Sequence, residues 1–394
     1  MIYTKIDFSD LHTTVGLGCF NPNAGGVSEF HAMIEINAVY ANAEKQYLML
    51  EETVQRLLKH SVLKGATLVW KHFFVSDAIN QSPYLIASAG EAVSVVQQPP
   101  LNGSKASLWL YFVENVQVSK DFDDVTIMKR PDYKHLINTC LHERSENSSS
   151  RSPLMPLPDS IEHQTRQIFN RYSQSLRHRG CTLNLNCIRT WIFVQGIDVQ
   201  YAGMVKARRG YFEHEGLTPQ THFIASTGIE GRYIYPDVLT LIDAYAIAGI
   251  QPEQIRYLQA STHLNPTHEY GVTFERGTSV DYGDRRHIFI SGTASINNRG
   301  EIVYPLDVEK QTERTFENVQ ALLSEADANL NDVAQMIVYL RDTADFAIVN
   351  RYLDTNHPSI PKIVVLAPVC RPGWLVEIEC IAVKSIENKQ FALF

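Results

Sequence analysis

The chain has 394 residues, more than one ordinary hydrophobic core accommodates, so two or three units of about 100–200 residues each are expected. Its composition, 44% hydrophobic, 10% aromatic and 20% charged, is that of a globular protein and excludes a disordered, collagen-like or coiled-coil chain. With 35 Lys and Arg against 43 Asp and Glu, the formal net charge is −8, so the bulk charge attracts neither nucleic acid nor an anionic membrane.

Signals for targeting and for cofactor binding are missing from the sequence. The first ten residues, MIYTKIDFSD, have no charged region followed by an apolar one, and no apolar run approaches the ~18 residues that span a membrane. The six cysteines form no CxxC pair, the histidines show no HExxH spacing, and there is no P-loop. We therefore expect a cytoplasmic protein with reduced thiols, without a metal site and without an organic cofactor.

Three stretches of the chain share one pattern, a helix followed by a strand. Two of them, EKQYLMLEETVQRLLKH and EKQTERTFENVQALLSE, begin with the same three residues. In both, 31 residues separate the Gln of EKQ from the Asp that ends the following strand, Gln46 from Asp77 and Gln311 from Asp342. A weaker version, EHQTRQIFNRYSQSLRH, begins at Glu162. The pattern indicates three degenerate copies of one α+β unit.

These copies predict the domain organisation. The segment SENSSSRSPLMPLPDS has the serine and proline content of a linker. The expected division is a first unit at 1–144, a linker at 145–160, a middle unit at 161–250, a connection at 251–285 and a third unit at 286–394. The middle and third units are expected to contain a second helix, at roughly 198–215 and 344–356.

The helix of the third copy is the best defined of the three. Its apolar residues recur at the spacing of one buried helical stripe, and the residue before it is suited to cap its first turn. The stripe consists of Phe316, Val319, Leu323 and Ala326, and the expected N-cap is Asp307.

Each copy closes on a strand-like run, and the run of the third copy carries two acids. The runs are SLWLYFV (107–113), LIDAYAIA (241–248) and WLVEIECIAV (374–383). Glu377 and Glu379 share one face of the last strand, about 7 Å apart. The expected equivalents in the middle copy are Asp243 and Tyr245. A carboxyl group that loses solvent becomes a proton donor near neutral pH, which favours Glu377 as an acid; the alternative is that both acids face water or pair with cations.

The C-terminal hundred residues resemble the Rid (YjgF) family, through ISGTASINNRGEIVYPLD, EKQTERTFENVQ, MIVYLRD and VEIECIAV in this order. The resemblance implies a sheet flanked by two helices, as in the small trimeric chorismate mutases, and trimers with a ligand cleft between subunits. Three units in one chain would form an intramolecular pseudo-trimer, either a monomer or a weak homo-oligomer. Rid deaminases hold the substrate carboxylate with an Arg where this chain has Lys362, which lacks the planar guanidinium fork.

A longer resemblance, over roughly residues 180–383, is to the chorismatases, whose C-terminal half is Rid-like. It rests on RTW (189–191), YAGMVKARRGYF, ASTG, FERG, SGTASI and VCRPGWLVEIE. The resemblance implies an enzyme that cleaves chorismate, a dianionic small molecule, and releases pyruvate. The implied ring product is 3- or 4-hydroxybenzoate or a dihydroxycyclohexadiene carboxylate.

The same resemblance assigns roles to eight residues. Glu377 is the implied catalytic acid, accompanied by Cys370. The implied substrate contacts are Tyr201, Arg208, Gly228, Tyr270, Arg276 and Glu379. Chorismate has two carboxylates, so its site needs at least two cations, ideally guanidinium groups. Plainer roles exist for several of them, since a helical Arg is usually solvated and a buried Cys usually fills space.

Two other functions stay open. One is a Rid-type imine or enamine deaminase, against which Lys362 argues. The other is a Rid-like ligand-binding protein without catalysis, because Ile192 and Phe193 follow Trp191 where chorismatases tend to have Asn and an aromatic residue.

Overall fold

The computed structural model describes residues 1–23, 25–85, 90–143 and 160–394. Within these ranges the backbone forms three six-stranded sheets. The strands follow the same order in all three when the second sheet is read from β7 to β11. In each sheet one pair of strands at the edge is parallel and the other neighbours are antiparallel. The predicted linker at 145–160 lies outside the described residues, apart from Ser160.

The first unit comprises residues 2–114, and its sheet has the order β1-β2-β3-β6-β4-β5. Its elements are β1 (Ile2–Phe8), β2 (Thr13–Phe20), β3 (Glu29–Ile36), α1 (Ala43–Leu58), β4 (Ala66–Val75), α2 (Ala78–Gln81), β5 (Ala92–Gln97) and β6 (Ala106–Glu114). The helix α1 begins after Asn42, whose side chain accepts a hydrogen bond from the Lys45 amide at 3.0 Å. The second helix, α2, is a single turn.

The second unit comprises residues 117–248, and its sheet has the order β11-β10-β12-β9-β8-β7. Its elements are β7 (Gln117–Lys120), β8 (Thr126–Lys129), β9 (Lys134–His142), α3 (Ile161–Arg177), α4 (Leu183–Asn186), β10 (Cys187–Val194), α5 (Ile197–His214), β11 (Ala225–Glu230) and β12 (Thr240–Ala248). The predicted second helix of this unit is confirmed as α5.

The third unit comprises residues 255–385, and its sheet has the order β13-β14-β15-β18-β16-β17. Its elements are β13 (Ile255–Leu258), β14 (Gly277–Asp281), β15 (Arg285–Ala294), α6 (Val308–Glu325), β16 (Val333–Leu340), α7 (Phe346–Asn356), β17 (Lys362–Leu366) and β18 (Val376–Ser385). Asp307 caps α6 as predicted, accepting from the Lys310 amide at 3.0 Å. The predicted stripe of α6 is buried along its whole length.

The sheets divide the chain differently from the predicted boundaries. Residues 117–142, predicted within the first unit, supply three strands of the second sheet, and the predicted connection at 251–285 supplies two strands of the third. The sequence repeat begins at the helix, whereas each unit begins with three antiparallel strands. The strands that lie outside their predicted units include β7, β8, β13 and β14, which are only four or five residues long and therefore carry too few residues for a periodic signal.

The three units contact one another in a cycle, which confirms an α+β protein built as an intramolecular pseudo-trimer. Strand β5 packs against β9, β11 against β15, and β16 with β17 against β2 and β3. The units also share one core. Trp70 of the first unit lies 5.2 Å from Trp191 of the second, measured between ring centroids. No helix in the described ranges is both long and apolar enough to cross a membrane, and all six cysteines are free thiols.

A buried ion cluster joins the first unit to the third. Arg285, fully buried, donates to Glu29 of the first unit at 2.8 Å and to its neighbour Asp284 at 2.7 Å. Glu29 also accepts a hydrogen bond from His287 at 2.8 Å. Burial alone would raise the pKa of Glu29, but His287 and Arg285 hold it well below its usual range.

We expect Arg285→Ala to lower the free energy of unfolding by about 3–5 kcal/mol, because it leaves the buried Glu29 and Asp284 without their cation. Urea unfolding followed by tryptophan fluorescence measures this loss. The control is Arg56→Ala, which removes an exposed pair with Asp10 and should cost at most about 1 kcal/mol. Equal effects of the two substitutions would show that the cluster does not hold the units together.

Candidate active site

A cleft of about 480 Å³, including the open space at its mouth, lies where the second unit meets the third. Six of the eight predicted site residues line it: Tyr201, Arg208, Gly228, Arg276, Cys370 and Glu377. The second unit contributes α5 and β11, and the third contributes β15, β18 and the segments before β14 and β18. Residues far apart in the sequence therefore meet only because the units associate.

Glu377 is the one acid among the described residues that line this cleft. It is 5% exposed, and its position on β18 places it opposite Ala294 of β15 and Tyr339 of β16. Burial raises the pKa of Glu377 to about 8; the nearby Glu379 adds to the rise, while Arg189 and Arg276 oppose it. A group with this pKa carries its proton at neutral pH and can donate it into the cleft.

A bulge in β15 makes room for this carboxyl group. The register of β15 with β18 shifts between Ile290 and Thr293, so Ser291 and Gly292 stand together opposite β18. A Cβ atom on Gly292 would lie 2.1 Å from Oε1 of Glu377. Any other residue at Gly292 would push Glu377 out of its position.

Glu379 lies behind Glu377 and does not line the cleft. It is 1% exposed, and its carboxylate accepts hydrogen bonds from three side chains of the second unit. Arg189 donates at 2.8 Å, Trp191 Nε1 at 2.7 Å, and Thr227 through its hydroxyl. We predicted Glu379 as a substrate contact, but the protein already occupies its oxygens. Its position instead makes it a fixed negative charge beneath Glu377.

Three arginines face the cleft. Arg208 of α5 is held by Thr273 at 3.2 Å, and Arg276 by the carbonyl of Asn265 at 3.0 Å from Nη2. The third, Arg371, lies with its guanidinium carbon 5.4 Å from the ring centroid of Trp374. Arg371 was not predicted from the sequence, although it directly follows Cys370 in the VCRPGWLVEIE run. Cations outnumber acids among the described residues that line the cleft, which suits an anion with two carboxylates.

Except for Tyr270, the remaining predicted residues line the same cleft as Glu377. Gly228 lies under the ring of Tyr201: a Cβ on Gly228 would be 3.2 Å from Tyr201 Cε2. Burial raises the pKa of the Cys370 thiol to about 12, with a further contribution from Glu377. Cys370 therefore stays protonated at neutral pH. Tyr270 ends a 3₁₀ turn (Thr267–Tyr270), but its side chain lies outside the described part of the structure.

Strand register corrects the predicted match between copies. Glu379 pairs with Ile337, and Asp243 pairs with Trp191. The two partners are equivalent, because Ile337 lies five residues before Asp342 and Trp191 lies five residues before Gly196, the residues that follow the strand in each copy. Asp243 is thus the counterpart of Glu379, not of Glu377, whose counterpart is Leu241. The predicted match was wrong by two residues because the runs are too short to fix a register.

Lys362 lies in a different cleft from Glu377. It pairs with Met336, and the residue at the same register in β11 is Ser226, which pairs with Thr190. At the position where Rid deaminases carry an Arg, the cleft that contains Glu377 therefore has Ser226. In the described ranges no three His, Cys, Asp or Glu side chains converge as metal ligands.

Comparisons with known proteins agree with this architecture. Residues 279–384 match the family model described as endoribonuclease L-PSP. A RutC family protein of Pyrococcus abyssi is 39% identical over 103 residues, which are 25% of this chain and 79% of that protein. The chain belongs to the RutC family. The 3-aminoacrylate deaminase RutC of Acinetobacter baylyi is 27% identical over 99 residues, 24% of this chain and 77% of that protein.

The likeness to RutC proteins covers the third unit, and a solved structure extends the similarity to the other two. A structure described as chorismatase aligns with 80% of this chain and 93% of its own, with a TM-score of 0.61 and 18% identity. At this identity the alignment shows the fold. The resemblance predicted from the sequence is thus confirmed for the RutC-like unit and for the whole architecture.

We expect Glu377→Gln to stabilise the protein at neutral pH. Between about pH 4.5 and 8 the unfolded chain ionises Glu377 while the folded protein keeps the proton, so wild-type stability falls as the pH rises through this window. At pH 7 the variant should be more stable by about 3 kcal/mol, at 1.36 kcal/mol per unit above 4.5, and near pH 4 the difference should vanish.

Urea unfolding at several pH values measures this difference. The exposed Glu313→Gln serves as the control and should follow the wild type at every pH. A stability difference for Glu377→Gln that does not change between pH 4 and 8 would contradict the burial of a protonated carboxyl group.

Proposed function

We propose that this protein is an enzyme that cleaves chorismate and releases pyruvate, with Glu377 as the proton donor. The observation that carries the proposal is a buried carboxyl group with a pKa of about 8 in a cleft that faces three arginines. The fold shared with a structure described as chorismatase supports the same substrate.

The charges in the cleft suit chorismate. Its ring carboxylate and its enolpyruvyl carboxylate need two cationic partners, and Arg208 and Arg276 both line the cleft, one from each unit. Arg371 supplies a third. A protonated Glu377 adds no negative charge to repel a dianion. The apolar wall of Phe274, Ile296 and Trp374 suits the carbocyclic ring.

The enolpyruvyl group is a vinyl ether, and its hydrolysis begins with protonation of the terminal methylene carbon. Glu377 donates this proton and becomes a carboxylate, and the substrate becomes an oxocarbenium ion. Water attacks the cationic carbon, and its surplus proton returns to Glu377. The hemiketal then breaks its bond to the ring oxygen and yields pyruvate and a ring alcohol.

The final ring product depends on whether this ring alcohol loses water. The intact alcohol is a dihydroxycyclohexadiene carboxylate, and loss of one water from it gives 3- or 4-hydroxybenzoate. Cys370 lines the cleft as a neutral thiol, so it can shape the wall or relay a proton but is not a base at neutral pH. Gly228 leaves room for the ring of Tyr201.

Imine or enamine deamination is the second candidate, favoured by the RutC-like third unit that carries Glu377. Ser226 at the register of the deaminase Arg argues against it, because a hydroxyl group has no charge to hold a carboxylate. Incubation of the purified protein with chorismate, with pyruvate read by a coupled assay and the ring product by chromatography, separates the candidates. Pyruvate release supports the proposal, whereas its absence would leave a deaminase or a protein that only binds ligand.

Glu377→Gln should lower pyruvate release by about 10²–10⁴-fold with little change in chorismate binding, because Gln keeps the shape of Glu but has no acidic proton. For the wild type, activity should fall as the pH rises through about 8, where Glu377 ionises. The control Glu313→Gln should retain activity. Near wild-type turnover by Glu377→Gln would rule Glu377 out as the acid.

Arg208→Ala and Arg276→Ala should each weaken chorismate binding by about 1.5–3 kcal/mol, the cost of losing a charged hydrogen bond to a carboxylate. Calorimetric titration of the Glu377→Gln background avoids turnover during the measurement. Arg209→Ala is the matched control, since Arg209 is the exposed neighbour of Arg208 on α5. If all three substitutions have the same effect, the cleft does not bind the carboxylates.

A further inference from the structure

A bidentate ion pair crosses the interface between the second and third units. Arg341, which directly follows β16, donates from Nη1 to one carboxylate oxygen of Asp198 at 3.1 Å and from Nη2 to the other at 2.7 Å. Asp198 lies in the first turn of α5. Two parallel bonds of this kind fix the orientation of both side chains as well as their separation. The pair therefore joins the start of α5 to the third unit.

Arg341 also holds both ends of the run 370–374, which contributes to the wall of the cleft. Its Nη2 donates to the Val369 carbonyl at 2.6 Å, directly before this run. Its amide donates to the Leu375 carbonyl at 3.0 Å, directly after it. The members of the run that line the cleft are Cys370, Arg371 and Trp374. One residue thus connects α5 with the chain segment that faces it across the cleft.

Asp198 shares a face of α5 with two residues of the cleft. Tyr201 and Arg208 follow it by three and ten residues, spacings that keep all three within one side of a helix. Glu230, at the end of β11, accepts hydrogen bonds from two amides at the start of α5, at 3.0 and 2.7 Å. The first turn of α5 is therefore fixed to its own sheet by Glu230 and to the third unit by Asp198.

The counterparts of Arg341 in the other two units are neutral. They are Ser76 and Gln195, because the amides of all three residues donate to the equivalent carbonyl, two positions before the counterpart of Glu377 in the closing strand. These carbonyls belong to Leu375, Lys105 and Leu239. A serine or a glutamine at this position cannot form an ion pair.

The counterparts of Asp198 are apolar. Asp198 lies three residues after the counterpart of Arg341 in its own unit, and the same step leads to Ile79 in the first unit and to Ala344 in the third. All of these positions lie within the described residues. Only the interface that carries Glu377 therefore has an ion pair at this place among the parts of the chain that the structure describes.

The pair lies at the edge of the interface and is in contact with water. The side chain of Asp198 is 49% exposed and that of Arg341 is 18% exposed. The hydrogen bonds from Arg341 lower the pKa of Asp198, so Asp198 is ionised at neutral pH. Solvent screens a pair with this exposure, which adds little to the stability of the whole chain. Its bidentate geometry and its place between two walls of the cleft favour a positional role.

We propose that Arg341 and Asp198 are positioning residues for the cleft. Their ion pair holds α5, with Tyr201 and Arg208, at a fixed distance from the run 370–374. Loss of either partner lets the two walls move apart, so the cations no longer converge on a dianion. The inference rests on the proposed function for the identity of the substrate, whereas the contact between the two walls does not.

Steady-state kinetics with chorismate test this role. We expect Arg341→Gln and Asp198→Asn each to raise KM about tenfold and to leave kcat within about twofold of the wild type, because β18 keeps Glu377 in place. The midpoint of the pH profile should stay at about 8. The combined variant should equal the single ones, since either substitution already breaks the pair. The control Arg171→Gln removes an exposed pair with Glu143 and should behave like the wild type.

Hydrogen–deuterium exchange of the same variants tests the contact without any ligand. Asp198→Asn changes the second unit but should speed exchange in the run 370–374 of the third unit. Arg341→Gln changes the third unit but should speed exchange in the first turns of α5. In Arg171→Gln both segments should exchange as in the wild type. A merely local role would change exchange only in the segment that carries the substitution.

Unchanged exchange across the interface in both variants would overturn the proposal. An unchanged KM, a loss confined to kcat, or effects on KM that multiply in the combined variant would also contradict it. If Arg341→Gln does not fold, Arg341→Lys replaces it, because Lys keeps the charge but lacks the fork and should show the same exchange across the interface. If the wild type releases no pyruvate, the proposed function fails, and the exchange measurement alone decides whether the pair positions the two walls.

Discussion

The site depends on one buried ion pair, between Arg189 of the second unit and Glu379 of the third. Each of the two residues is 1% exposed, Arg189 donates to Glu379 at 2.8 Å, and Trp191 and Thr227 donate to the same carboxylate. Removal of either partner would leave an uncompensated buried charge. Because this pair fixes Glu379 as a charge beneath Glu377, the second unit influences whether Glu377 in the third unit keeps its proton.

A single chain lets three equivalent interfaces diverge. In a trimer of identical subunits every cleft must have the same residues. In this chain, by contrast, the strand position that Glu379 occupies in the third unit is occupied by Asp243 in the second unit and by Trp109 in the first. One interface therefore carries Glu377, the second holds Asp243 by hydrogen bonds from Ser94 and Cys140, and the third has Lys362. The cost of this arrangement is a buried carboxyl group, which lowers stability as the pH rises towards 8.

Much of the architecture was predictable from sequence, because long amphipathic helices leave a periodic signal and the EKQ repeat fixes their spacing. The opening strands of the second and third units were assigned to the wrong segments, since runs such as β7 and β8 are four residues long. Among the predicted residues that line the cleft, the strand pattern of the third unit pointed to Glu377, and the resemblance to the chorismatases pointed to Arg208 and Arg276. The role of Arg189 was missed because its partner Glu379 lies in another unit, and no spacing within one motif reveals such a contact. Arg371 was missed although it stands next to Cys370 in the same motif.

The proposed mechanism requires a protonated Glu377, and infrared spectroscopy observes this proton. The difference between spectra of the wild type and Glu377→Gln isolates the carbonyl band of a protonated carboxyl group at this position. We expect this band to be present at pH 6 and to disappear with a midpoint near 8 as Glu377 ionises. A band that has already vanished at pH 6 would show an ordinary, ionised Glu377, which could not act as the proton donor.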